Sequence, residues 1–308
     1  MRWRGRGSGG MKRAAWLCAA GAILLWASFA TLVSHAPDVP PLLLTGLALC
    51  LGSATCLHRV REWRVPPRTL AFGVTCLFVY NAGLVMAFRL APIAEANLIN
   101  YLWPLILVLL GTTVWRGIDC TAKVSGALLG FGGCIVAITA GSGADAFGAD
   151  LGSLGGRHMA GYALALLAAI VWAVYSLGAR WLPPFSSWAV GGFCLGAGLL
   201  AIASHFLLEP RFMPSTSDLA WVAAIGLGPL GISFVLWDYA MRHGNAAQIG
   251  ILGYSTPVLS MLCLALAGKV TGRDWSMIFL ACTLIVTGVA VASAGPMMWR
   301  RVAWARKP

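Results

Sequence analysis

Asn97, Asn100, Tyr101 and Pro104 fall at i, i+3, i+4 and i+7 in an otherwise apolar run, so on a helix they share one face. Gly250, Gly253, Tyr254 and Pro257 repeat that spacing. Amides in an apolar helix need a polar partner, so the asparagine stripe is expected to face protein or a watery cavity. Proline carries no N–H, which withdraws a donor from the carbonyl of Asn100 at Pro104 and from that of Gly253 at Pro257. Carbonyls freed at membrane depth are tolerated where they line a cavity, and there they can receive a substrate ammonium. A plain packing kink is the other reading of each proline. The chemistry predicted is reversible binding of a small solute, with Pro104 and Pro257 as helix breaks or gates.

Aromatic placement adds walls to such a site. Trp16, Trp63, Trp115, Trp181, Trp188, Trp221, Trp275 and Trp299 sit at the ends of apolar runs, where interfacial belts form. Trp26, Tyr80, Tyr101, Trp103, Trp172, Tyr175, Trp237 and Tyr254 lie deeper. Deep Trp and Tyr prefer a partner for their N–H or O–H, and together they can stack on a flat solute; a core or lipid-facing position is the alternative for any one of them. The expected substrate-binding set is therefore these eight aromatics with Asn97 and Asn100. Asp238 precedes Arg242 by one turn, the spacing of a local ion pair, and Glu95 stands at the start of the same run as Asn97. Asp238 and Glu95 are the candidates for a coupling proton. With no deeper acid–base chain, the solute is expected to be neutral or zwitterionic.

Catalytic and energising patterns are missing. No Gly-rich loop ends in Gly-Lys-Ser/Thr, and neither H-E-x-x-H nor G-x-S-x-G occurs, so neither ATP-driven pumping nor hydrolysis is encoded in these patterns. Gly226, Gly228 and Gly231 match G-x-G-x-x-G, but inside an apolar run with no preceding strand; close helix packing is the reading. The nine cysteines form no C-x-x-C pair and the five histidines share no ligand spacing, so no disulfide framework, metal or cofactor is expected. A membrane-embedded enzyme and a non-transporting scaffold are the rival classes, the first weakened by the missing nucleophile–base pair and the second by the mid-span Asn and Pro.

The elements that must position these residues follow from composition. The 308 residues are 59% hydrophobic and 10% charged, with mean hydropathy +0.80, too little polar surface for a soluble chain. Ten apolar segments stand out, at 14–34, 41–58, 69–89, 93–114, 124–141, 159–179, 188–208, 219–240, 246–268 and 275–298, each near the roughly 20 residues of a bilayer-spanning helix. Threading the chain through ten spans puts 17 of its 22 Lys and Arg on the side of the N-terminus, which marks that side as cytoplasmic. The net charge of +12 is thus a topology signal and not a nucleic-acid footprint. The first segment, about 21 residues, exceeds a cleavable signal's apolar core and is read as a retained helix.

The halves resemble each other. A shift of 153 places Ala87 on Ala240, Arg89 on Arg242, Ala94 on Ala247, Tyr101 on Tyr254 and Pro104 on Pro257. Residues 14–141 and 159–298 are read as two five-helix repeats, flanked by a cytoplasmic tail at 1–13, an extracytoplasmic linker at 142–158 and a second cytoplasmic tail at 299–308. Five spans is odd, so the second repeat enters the bilayer upside down, an architecture of secondary transporters. The fold class expected is all-α and integral to the membrane, with ten helices in inverted repeats around a central cavity. Nothing in the sequence demands more than a monomer.

Ile99-Asn-Tyr-Leu-Trp-Pro104 and Gly253-Tyr-Ser-Thr-Pro-Val-Leu-Ser260, within this arrangement, resemble the drug/metabolite transporter superfamily of the EamA type. The branch most similar is that of bacterial aromatic amino acid exporters. A Gly-Glu pair found in many members after helices 4 and 9 is replaced here by Thr113-Val-Trp115-Arg116 and Ala267-Gly268-Lys269. The resemblance implies export of aromatic and other neutral amino acids across the inner membrane, with another metabolite or drug as the alternative cargo.

Overall fold

A computed structural model describes residues 8–33, 35–91, 96, 99–112, 118–142, 156–178, 181–266 and 275–305. Among the described residues the regular structure is helical throughout, with no strand. The helices are α1 (Ser8–Val33), α2 (Pro41–Ala54), α3 (Pro67–Leu90), α4 (Trp103–Thr112), α5 (Ile118–Ser142) and α6 (Gly156–Gly178). They continue as α7 (Val190–Leu208), α8 (Thr216–Leu227), α9 (Ser233–His243), α10 (Ala246–Leu252), α11 (Ser255–Leu266) and α12 (Trp275–Ala305).

Five described stretches are long and apolar enough to cross a bilayer, with α8 and α9 forming one of them, and a sixth arises if α2 and the bent segment after it count together. This is an all-helical membrane protein. The apolar segments expected at 93–114 and 246–268 take a different form. Each contains a helix interrupted beside its tyrosine, at Tyr101–Leu102 and at Gly253–Tyr254, where no proline sits but a proline follows at Pro104 and Pro257.

Packing is between elements far apart in sequence. α5 lies along α12, α2 along α7, α3 along α6 and α1 along α9 and α11. Small residues permit the closest of these approaches. A methyl group on Gly288 of α12 would lie 2.5 Å from the carbonyl oxygen of Gly126 in α5, so the two backbones touch there as small-xxx-small membrane packing allows. Gly226 and Gly231 similarly meet Gly52 of α2, which is the packing role read for that glycine run.

The start of α2 shows how one long-range contact orders a helix end. Its flanking Pro40 supplies no side-chain cap. Glu209, just past α7, accepts the amides of Leu42 (3.0 and 3.1 Å) and Leu43 (3.3 Å), and its Oε2 lies 2.9 Å from Nδ1 of the buried His205. A carboxylate satisfies orphan N–H groups and meets the positive end of the helix dipole.

Candidate functional site

Aromatic side chains from five helices converge in the larger core. Trp26 (α1) lies 5.5 Å from Trp172 (α6) and 5.1 Å from Trp237 (α9), centroid to centroid. Tyr80 (α3) is 4.7 Å from Trp172, Tyr175 stacks on Trp172 at 5.4 Å, and Trp103 (α4) meets Trp237 edge-on at 5.4 Å. Phe234, absent from the sequence-based set, fills the space between Trp26 and Trp172. Six of the expected binding aromatics are thus one contiguous group; such pairs favour tilted and edge-to-face geometries over face-on stacking.

Polar atoms within the group hold the rings in place. The indole N–H of Trp237 donates to Ser176 Oγ at 3.0 Å, and that of Trp26 donates to the Pro229 carbonyl at 3.1 Å. Pro229 lies in a π-helical turn, Gly228–Ile232, between α8 and α9. The π turn shifts the helical ladder out of its usual register, and this carbonyl accepts side-chain donors; Ser233 Oγ also donates to it, at 2.5 Å. Ser176, Pro229 and Phe234 are the contributors that sequence reading passed over. Only Gly228-Pro229 carried a signal, as a breaker pair inside an apolar segment.

Asn100 is 5% exposed and lies beside the Tyr80 hydroxyl. Its Oδ1 is buried without a hydrogen-bond partner. The Tyr175 hydroxyl is likewise buried without a partner. An unmet buried polar atom costs about 1–3 kcal/mol, a cost recovered when a ligand supplies the missing group.

The other expected residues divide. Trp103 is seated over Gly253, where an added methyl would come within 2.6 Å of its ring. The glycines of the second proline stretch therefore make room for the aromatic of the first. Pro104 is buried beside Trp103, and Pro257 lies within the first turn of the 255–266 helix. The Gly253 carbonyl, expected to be freed by Pro257, accepts the Thr256 amide at 3.0 Å, because the chain tightens into an i+3 turn there. Tyr101 and Tyr254 belong to a second, smaller core with Val108, Ala127 and Ile251, apart from the tryptophans. Asp238 and Arg242 pair at 2.6 and 3.0 Å, and the same guanidinium donates to the Phe185 carbonyl at 3.1 Å. Asn97 and Glu95 lie outside the described residues. Among the described residues no group of His, Cys, Asp and Glu could hold a metal ion.

The profile of the EamA-like transporter family matches residues 159–294. Over 279 residues the chain is 36% identical to the aromatic amino acid exporter YddG of Ancylobacter novellus, covering 88% of this chain and 94% of that protein. It is 24% identical over 227 residues to the exporter of the same name from Salmonella typhimurium, covering 71% and 76%. A solved crystal structure superposes with a TM-score of 0.80 at 35% identity, over 91% of this chain and 97% of that one.

Proposed function

Since the chain belongs to the EamA-like transporter family, we propose that it exports aromatic and other neutral amino acids across the bacterial inner membrane by alternating access. Membership makes it a multi-pass membrane transporter and not an enzyme. The solute is held in the tryptophan group beside Asn100. The observation that carries this reading is the open Oδ1 of Asn100, beside Tyr80, which packs on Trp172. It accepts from an ammonium, while the Tyr175 hydroxyl donates to the carboxylate and the indoles stack on an aromatic side chain. Asp238 is committed to Arg242, so it offers no bare carboxylate to a cationic substrate. Release requires weak binding, of order millimolar to high micromolar.

The contacts between helices support the inverted repeat. Number the spans 1 to 10 by the apolar segments; the packed pairs then include 5 with 10, 2 with 7, 3 with 6, 1 with 8, 4 with 6, 1 with 9, 2 with 8 and 3 with 7. Exchanging each span with the one five places on returns these eight, whereas the contact of 5 with 9 has no counterpart of like extent, 10 with 4, among the described residues. A two-fold relation between halves accounts for the matched pairs, and the 17 basic residues on one side support cytoplasmic termini. Asp238 serves its ion pair, which leaves Glu95 the better candidate for a coupling proton.

Uptake of labelled tryptophan, phenylalanine and threonine into proteoliposomes, with and without a proton gradient, tests the reading. Tryptophan and phenylalanine uptake above empty vesicles, competed by unlabelled amino acid, is expected. Folded protein that moves none of the three carries a different solute on this fold.

A further inference from the structure

The chain leaves α2 at a bend of 92° and runs through a 3-10 segment, Leu57–Trp63. A segment at a right angle to a span lies along the membrane surface. Leu57 and Val60 are 55% and 49% exposed, and Arg59, Arg61, Arg64 and Arg68 are exposed beside them. Its one acid, Glu62, is already engaged: the Ser186 hydroxyl donates to it and Arg59 pairs with it at 3.1 Å. Those two contacts, the hydroxyl first, hold the carboxyl below the usual range. Glu62 therefore cancels Arg59, and among the described residues no carboxylate pairs with Arg61, Arg64 or Arg68. The segment is also fixed in place. Trp63 packs over Gly191, where a methyl would lie 2.6 Å from its ring, and His58 meets Trp188 edge-on at 4.5 Å.

Charge asymmetry explains why these arginines face the cytoplasm, but not why bare apolar side chains accompany them on a rigid ledge. We infer that residues 57–68 form a docking surface for the headgroups of anionic phospholipids. Leu57 and Val60 enter the acyl boundary while Arg61, Arg64 and Arg68 bind the phosphates. Because the ledge joins the end of α2 to the segment leading into α7, a bound lipid braces the contact between the two halves.

Native mass spectrometry of the full chain with phosphatidylglycerol or phosphatidylcholine at equal concentration tests this. Wild-type protein is expected to retain phosphatidylglycerol preferentially. R61Q/R64Q/R68Q should lose the preference, by roughly fivefold per arginine removed, while R61K/R64K/R68K keeps it. All three positions are exposed, so melting temperatures should stay close to wild type. Equal retention by the Gln variant overturns the proposal, as does complete displacement of the lipid by millimolar inorganic phosphate, which would mark a free-anion site. Neither outcome bears on the amino acid site, which the uptake experiment reads separately.

Discussion

The two proline stretches share a spacing and have opposite contents. Around Trp103 the first stretch brings large rings and an unmet amide oxygen on Asn100. The second, around Gly250 and Gly253, brings backbone, and what it gives is space: Leu107 fills against Gly250 and Trp103 against Gly253. Beyond it, Tyr254 lies over Gly130 in a small core of alanines, valines and isoleucines where α5 and α12 touch. On the proposed reading, the shared spacing serves recognition in one stretch and close packing in the other. Transport should therefore be lost by chemical change in the first region and by steric change in the second.

The largest effect should come from the tightly packed side. Gly288→Val drives a side chain into the Gly126 carbonyl and should cost about 3 kcal/mol or more, since overpacking commonly costs 1–3 kcal/mol and a backbone oxygen cannot yield as a side chain does. Thermal unfolding in detergent measures it, and an unchanged melting temperature would show that α5 and α12 do not touch. In the recognition region, Asn100→Ala removes an acceptor without adding bulk. It should lower tryptophan uptake roughly tenfold or more, the worth of a hydrogen bond to a charged group, with stability nearly unchanged. A variant that loses uptake only because it unfolds would erase the distinction between the regions.

Smaller again is Ser176→Ala, which strands the indole N–H of Trp237. A few-fold rise in KM with little change in maximal rate is expected, because about 1 kcal/mol of ring positioning is lost. Equal kinetics would mean that Trp237 is held by packing alone.

Local pattern carried much of this to the reader of the sequence. The deep aromatics, the Asp238–Arg242 pair and the glycine packing depend on composition and on neighbours within two turns. What was hidden lies across the fold. Trp26 meets Pro229 at a separation of 203 residues, and Glu209 caps α2 across 167, so no periodicity announces either. The helical face drawn through Asn100 and Tyr101 fails for a local reason: the helix is interrupted at Tyr101–Leu102. Asn100 then lies beside Tyr80, and Tyr101 in the smaller core. A wheel drawn through a break assigns faces that the chain does not have.

The most direct test is the shift in melting temperature that millimolar phenylalanine produces in wild type and in Asn100→Ala, since a ligand that binds the native state stabilises it by mass action. A saturable rise in wild type, absent from an equally stable Asn100→Ala, is the result predicted. An identical rise in both proteins would place the solute elsewhere in the molecule and contradict the assignment.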